Sequence, residues 1–275
     1  HTVCKHVVDV ESIVSRSVPR HALLIDPADQ TPQVAAKRAI AAAMAGSSMI
    51  LIGGSSGTDS ENVNRTVVAI KEALELIEWA ATQDSDADSK ERLPIILFPQ
   101  GAYALSPIPD GITFMMLMNS NSRRFLVGEQ LRGAPFIDKF GVDALPTGYV
   151  VCHPGGKVGE VGEADLVMPD DISLVKAYSL TAAMYGFKLL YLEAGSGAEN
   201  QVNPDLIKSA KTTDGLTMLV GGGIRTPQQA QLAAEAGADW IVTGTLTEDA
   251  ADLADLRDKI SAITNILALL NWEPD

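Results

Sequence analysis

Short runs of apolar residues, most of them unbroken by polar positions, alternate along the chain with longer stretches where apolar residues recur every three or four places. The runs predict strands at His21–Asp26, Met49–Gly54, Pro94–Pro99, Ile112–Asn119, Leu145–His153, Lys188–Gly195, Leu216–Gly223 and Trp240–Thr245. A strand that is apolar on both sides must be covered on both faces, which is the condition of parallel strands in an α/β protein. The intervening stretches have helical period. Val63, Val67, Ile70, Leu74 and Ile77 fall at intervals of four and three, one stripe of a helix turned toward the strands. Eight strand–helix repeats in a chain of 275 residues predict a (β/α)8, or TIM, barrel spanning 1–275 as one domain.

Local punctuation agrees. Thr31-Pro32 reads as a helix start, with Thr as the cap and proline at the first helical position, and Gly46 as its stop. Thr58 and Glu61 have the spacing of a capping box, and Asn203-Pro204 and Thr226-Pro227 repeat the cap-then-proline device, the latter with Gln229 as box partner and Gly237 as terminator. Asp170-Asp171 is expected to cap a helix beginning near Ile172, and the polar stretch Thr82–Arg92 reads as a solvated loop. One unit departs from the rhythm. Gln100–Gly111 is too short and too rich in proline for a crossover helix, yet it carries Tyr103, Leu105, Pro107 and Ile108. It is either a loop packed on the barrel wall or one side of an apolar groove where the third helix is missing.

Composition narrows the possible partners. A net charge of −14 supplies no counterion release for nucleic acid and no polybasic contact with a membrane. The longest apolar stretches, such as Ile112–Met118, are far below the ~18 residues that span a bilayer, and the N-terminus has no positive-then-apolar signal pattern. Cys4 and Cys152 make no disulfide framework, so a cytoplasmic protein is expected.

Barrels of this kind carry their chemistry at the C-terminal ends of the strands. Those ends hold Asp26, Gly53-Gly54-Ser55, Tyr191-Leu192-Glu193-Ala194-Gly195-Ser196-Gly197, Gly221-Gly222-Gly223 and Gly244-Thr245. Glycine clusters after the sixth, seventh and eighth strands suit a phosphate, because without a Cβ the backbone N–H groups approach its oxygens closely. Glu193 shares a strand face with Tyr191 and is placed to accept from a substrate hydroxyl or act as a general base, or else to cap a neighbouring loop. Asp26 suits a Mg²⁺ ion, or a turn before Pro27. His21 begins a strand, the wrong end for catalysis, and Cys152-His153 lacks zinc-site spacing.

Taken together, Ile25-Asp26-Pro27, Leu51-Ile52-Gly53-Gly54-Ser55, Tyr191–Gly197, Gly221–Arg225 and Thr243-Gly244-Thr245 resemble the geranylgeranylglyceryl phosphate synthase family. Asn119–Ser122 ahead of a helix ending in Gly128-Glu129-Gln130, Pro146–Tyr149 and Pro154–Gly156 also fit, so the likeness runs from about 15 to 260. The sequence departs from many relatives at Gly244-Thr245, where they carry Gly-Asn, and at Asn121–Phe125, where they place Asn-Pro and an aromatic. The resemblance implies a TIM barrel whose third helix is replaced by a non-helical segment. It implies a Mg²⁺-dependent prenyltransferase that joins a long prenyl diphosphate to the C3 hydroxyl of sn-glycerol 1-phosphate, the first ether bond of archaeal-type lipids. Asp26 and Ser55 would then contact the metal. Tyr191, Leu192, Glu193, Ala194, Gly195, Ser196, Gly197, Gly222, Gly223, Gly244 and Thr245 would bind glycerol phosphate, with Glu193 and Tyr191 as the catalytic pair. The expected assembly is a homo-oligomer. The alternatives are another sugar-phosphate barrel enzyme or a non-catalytic phosphate binder. A Schiff-base aldolase needs a lysine at a strand exit, whereas Lys188 begins its strand and Lys157 is expected in a loop.

Overall fold

The computed structural model describes residues 9–16, 18–82 and 92–271. Cys4 and most of the Thr82–Arg92 stretch lie outside these residues. Among the described residues, eight parallel strands close into a barrel, each paired with the next and the eighth with the first. They are β1 (Arg20–Ile25), β2 (Met49–Ile52), β3 (Ile95–Leu97), β4 (Gly111–Leu117), β5 (Asp143–Val151), β6 (Leu189–Glu193), β7 (Thr217–Gly221) and β8 (Trp240–Thr243). Every expected strand is present, most of them shorter at the C-terminal end, because the glycines and Asp26 have already left the ladder to form the mouth.

The helices are α1 (Val10–Val14), α2 (Pro32–Met44), α3 (Ser60–Thr82), α4 (Glu129–Phe140), α5 (Gly156–Val161), α6 (Ile172–Met184), α7 (Pro204–Lys211), α8 (Pro227–Glu235), α9 (Leu246–Asp249) and α10 (Leu253–Leu270). Thr31, Asn203 and Thr226 cap α2, α7 and α8 through their side chains, and Gln229 completes the box at α8. Two caps differ from the sequence reading. The box at α3 is made by Asp59 and Asn62, whose side chains accept from each other's backbone N–H at 2.8 and 2.9 Å, while Thr58 donates to Gln100 instead. Asp171 does precede α6, but its carboxylate accepts from the Met168 N–H behind it. A third difference lies past Ser122. The helix does not end at Gly128-Glu129-Gln130: a π-helical turn, Arg124–Gly128, runs directly into α4 and on to Phe140.

Strand alternation sorts the apolar residues into two layers. Leu23, Ile25, Ile50, Leu190, Leu192 and Ile241 face the helices, whereas Met49, Leu51, Tyr149, Tyr191, Leu219 and Trp240 fill the barrel. Each fully buried side chain of this size contributes about 1.5–3 kcal/mol. The interior is sealed below by α1: Val10 and Val14 join the inner layer, and the Trp240 indole N–H donates to Val14 O at 2.8 Å. The Arg20 guanidinium lies 4.0 Å over the indole ring. His21 is buried in the outer layer between Ser47 and Thr243, both at 2.8 Å, and burial pushes its pKa down to about 3. It is a neutral structural group, as its place at a strand start implies.

The β3–β4 connection follows turns and bends through 98–110, with no helix among the described residues. Where a third helix would cover the barrel wall there is a groove.

Candidate active site

Asp26 follows Ala22 and Leu24 in the inward-facing alternation of β1 and so reaches the mouth. Its Oδ1 accepts from Ala28 N–H at 2.9 Å, and Oδ2 meets no hydrogen-bond donor among the described residues. Gly54 leaves room for it: a Cβ there would lie 1.8 Å from Oδ2, so the close approach of the β2 exit to this carboxylate requires glycine. Burial pushes the Asp26 pKa up to about 6, with Asp29 and Glu248 adding repulsion and the Ala28 N–H and Lys157 opposing it. A carboxylate so placed favours a cation beside it. Ser55, Ser196, Gly244, Gln30 and Arg38 line the same polar pocket. Among the described residues no three or more His, Cys, Asp or Glu are grouped to hold a metal, and the donors lining the pocket with Asp26 are the Ser55 and Ser196 hydroxyls and the Asp29 and Glu248 carboxylates. That set fits a hard divalent ion which takes its other ligands from water and a substrate's phosphate.

Glu193 and Tyr191 share the inner face of β6 as their spacing implies. Glu193 Oε1 accepts from Gly195 N–H at 2.6 Å. Burial raises its pKa to about 7, against the Gly195 hydrogen bond and the nearby Tyr191 hydroxyl, which both lower it. The hydroxyl is close enough to act on the carboxylate but misses hydrogen-bond geometry, and no other described group partners it. A carboxyl at about 7 is half ionised near neutrality, the condition that suits a general base. Gly222 is the floor beneath it. Its φ of +79° is left-handed, and a Cβ would lie 2.3 Å from Glu193 Oε1. Gly197 N–H donates to Thr245 Oγ1 at 3.2 Å, joining the β6 and β8 exits.

Three of the expected residues turn no side chain to the mouth. Leu192 and Ala194 point outward into the helix-facing layer, because they alternate with Tyr191 and Glu193, so only their backbone reaches the mouth. Gly223 packs against the backbone of Asn200 and Gln201.

The groove opens at the mouth beside Glu193, Ser55 and Ser196 and descends between β4 and α4 past Phe98, Met115 and Leu105 to Ile112 and Ile137. It encloses about 1050 Å³, its open mouth included. Of the four apolar residues noted in 100–111, only Leu105 lines it; Tyr103 is exposed, and Ile108 packs against the outer core. The segment is tied across to α4 by Glu129, which accepts from Ala102 N–H at 2.8 Å and from Arg124 Nε at 2.6 Å. Burial pushes the Glu129 pKa up, but the Ala102 N–H, Arg124 and Arg132 together hold it below the ordinary value.

The sequence reading missed Asp29, Gln30, Arg38 and Glu248 around the polar pocket, Glu129 at the groove, and Lys157 beside the β2 exit. Asp29 and Gln30 directly follow Asp26 in the β1 loop and were findable by position. Lys157 is in α5 rather than a loop, and its ammonium reaches Ser56 in the β2 exit.

A polar pocket around Asp26 and an apolar groove reaching Glu193, which adjoin at Gly54, Ser55 and Ser196, define a (β/α)8-barrel enzyme acting on one polar and one apolar substrate. The sequence comparisons agree with this class and narrow it. The chain matches the PcrB family over residues 14–266 and belongs to that family. It is 40% identical over 245 residues to the geranylgeranylglyceryl phosphate synthase of Methanothrix thermoacetophila, covering 88% of this chain and 89% of the relative. With the enzyme of the same name from Methanosphaera stadtmanae it shares 38% identity over 263 residues, 94% of this chain and all of the relative. Its fold matches the crystal structure of (S)-3-O-geranylgeranylglyceryl phosphate synthase from Thermoplasma acidophilum in complex with its substrate sn-glycerol-1-phosphate. That match has a TM-score of 0.83 and 35% identity over 94% of this chain and 98% of the other.

Proposed function

We propose that this chain is a geranylgeranylglyceryl phosphate synthase, transferring a long prenyl group from its diphosphate to the C3 hydroxyl of sn-glycerol 1-phosphate. The observation that carries the reading is Glu193, a buried carboxylate with a pKa near 7 at the mouth of the apolar groove, which adjoins the polar pocket at Gly54, Ser55 and Ser196. The polar substrate suits the mouth between the β6, β7 and β8 exits, where Gly195, Ser196, Gly197, Gly222, Gly244 and Thr245 gather backbone N–H groups and hydroxyls. The prenyl chain suits the groove, which otherwise exposes apolar surface without a purpose.

In the reaction the C3 oxygen attacks C1 of the prenyl group, the bond from C1 to the bridging oxygen breaks, and that electron pair leaves with diphosphate. The hydroxyl proton passes to Glu193. Oε1 is already held by Gly195 N–H, which orients the carboxylate and leaves Oε2 to accept. Tyr191 positions the acceptor beside it. Asp26, with Ser55 in the same pocket, would hold Mg²⁺. Bound there, the ion supplies the positive charge that stabilises the departing diphosphate. The allylic carbon tolerates partial positive charge, so alignment and a base are the protein's main contributions.

A homo-oligomer is supported by the outer surface of α6, where Leu174, Leu180 and Met184 are 41, 40 and 82% exposed on a helix with few polar residues. Light scattering measures its mass. No described helix is long and apolar enough to cross a membrane.

The test is incubation with Mg²⁺, sn-glycerol 1-phosphate and geranylgeranyl diphosphate, followed by mass spectrometry of the ether and assay of diphosphate. Ether and diphosphate should form together. Diphosphate release without an ether, at a rate indifferent to glycerol phosphate, would refute the reading.

A further inference from the structure

The mouth is a difficult place for a diphosphate. Asp29 and Glu248 act on Asp26 in the pocket wall, Glu193 lines the adjoining groove, and the whole chain carries −14. The other cations near this mouth are committed. Arg38 donates to Gln30 Oε1 at 2.8 Å and to Thr247 O at 2.7 Å, and Arg225 to Ala198 O at 2.6 Å and Asp249 at 3.3 Å. Lys157 differs from both. Among the described residues its ammonium meets only the neutral hydroxyl of Ser56.

Its position is fixed at the base and free at the tip. Gly155 N–H donates to Ala194 O at 2.9 Å, which ties the start of α5 to the loop carrying Ser196. From there the side chain crosses to Ser56, next to Ser55, and its charge is felt by the Asp26 carboxylate. Lys157 therefore spans the β5 and β2 exits, with its ammonium at the residue next to Ser55, which together with Gly54 and Ser196 is shared by the polar pocket and the groove. A flexible four-carbon stem with three donors can leave a serine hydroxyl for a phosphate oxygen at little cost. The exchange replaces a neutral acceptor by an anionic one, a stronger hydrogen bond.

We propose that Lys157 binds the diphosphate of the prenyl donor, moving from Ser56 to hold the departing phosphate at the mouth. This rests on the prenyltransferase reading of the same site, and it assigns a specific residue to the leaving group.

The experiment titrates inorganic pyrophosphate with Mg²⁺ into the unsubstituted protein, Lys157→Met, Lys157→Arg and Ser56→Ala, and measures steady-state kinetics on each. Lys157→Met should weaken pyrophosphate binding and raise KM for geranylgeranyl diphosphate by about 10- to 100-fold, the range of one charged hydrogen bond. KM for glycerol phosphate should stay within about twofold, Lys157→Arg should recover most of the loss, and Ser56→Ala should bind pyrophosphate no more weakly than the unsubstituted protein. Unchanged pyrophosphate binding by Lys157→Met overturns the proposal. Equal losses in the Met and Arg variants overturn it too, since they would make the side chain's shape, not its charge, responsible. Absence of ether formation in the unsubstituted protein would overturn the prenyltransferase reading instead, and the pyrophosphate titration, which needs no turnover, keeps the two failures apart.

Discussion

Replacing Glu193 with Gln separates what the carboxylate does for the reaction from what its burial does to the fold. The amide keeps the size and retains an oxygen for the Gly195 N–H, so the β6 exit should hold its shape. It cannot accept the C3 proton, and the rate should fall by about 10²–10⁴ with a smaller change in KM for glycerol phosphate. Stability should move the other way. Burial raises the Glu193 pKa from 4.5 to about 7, so the folded state binds a proton more tightly than the unfolded chain. The contribution of this group is fully present below about pH 4.5 and is lost as pH rises through 7. At pH 8 the ionised carboxylate therefore costs the fold about 3 kcal/mol that a neutral amide does not. Glu193→Gln should be more stable than the unsubstituted protein at pH 8 and should lose that advantage toward pH 4.5, as read by urea unfolding at both. The unsubstituted enzyme's rate should rise with pH through about 7 as the base ionises. An inactive variant that is less stable at pH 8 would refute the claim that Glu193 is held at a desolvation cost. A variant with near-normal turnover would end its role as base.

Asp26→Asn should abolish most Mg²⁺-dependent turnover while leaving circular dichroism unchanged, since it removes the anionic ligand but preserves an acceptor for Ala28 N–H; near-normal Mg²⁺ dependence would return Asp26 to a turn role. Leu105→Gln should weaken a C20 donor more than a C10 donor in competition assays, because each CH₂ kept in the groove is worth about 0.8 kcal/mol. Equal losses at both lengths would place the chain elsewhere. Gly222→Ala should disable the site, because its Cβ would lie 2.3 Å from Glu193 Oε1 on a left-handed backbone. Retained glycerol phosphate binding by calorimetry would show that the β7 exit can yield.

The strands and most helix ends were legible in the sequence because they are encoded locally. A short unbroken apolar run such as Met49–Ile52, bounded by serine and glycine, suits a strand covered on both faces, and a threonine before a proline such as Thr226-Pro227 favours a helix start. Alternation along β6 was enough to put Tyr191 and Glu193 on one face, and it also turns the side chains of Leu192 and Ala194 toward the helices. The missing helix after β3 was visible in the prolines of Gln100–Gly111. That this gap is a groove was not, because its other wall is α4, and the tie between them runs from Glu129 to Ala102 across 27 positions. The same holds for Val14 under Trp240, 226 positions away, and for Lys157 at Ser56, 101 positions away. Nor does any local pattern state that Glu193 titrates near 7: that value comes from the surroundings that exclude water from its carboxylate. Periodicity and capping act over a few residues and are written in order along the chain, whereas burial and distant contacts exist only once the barrel has closed.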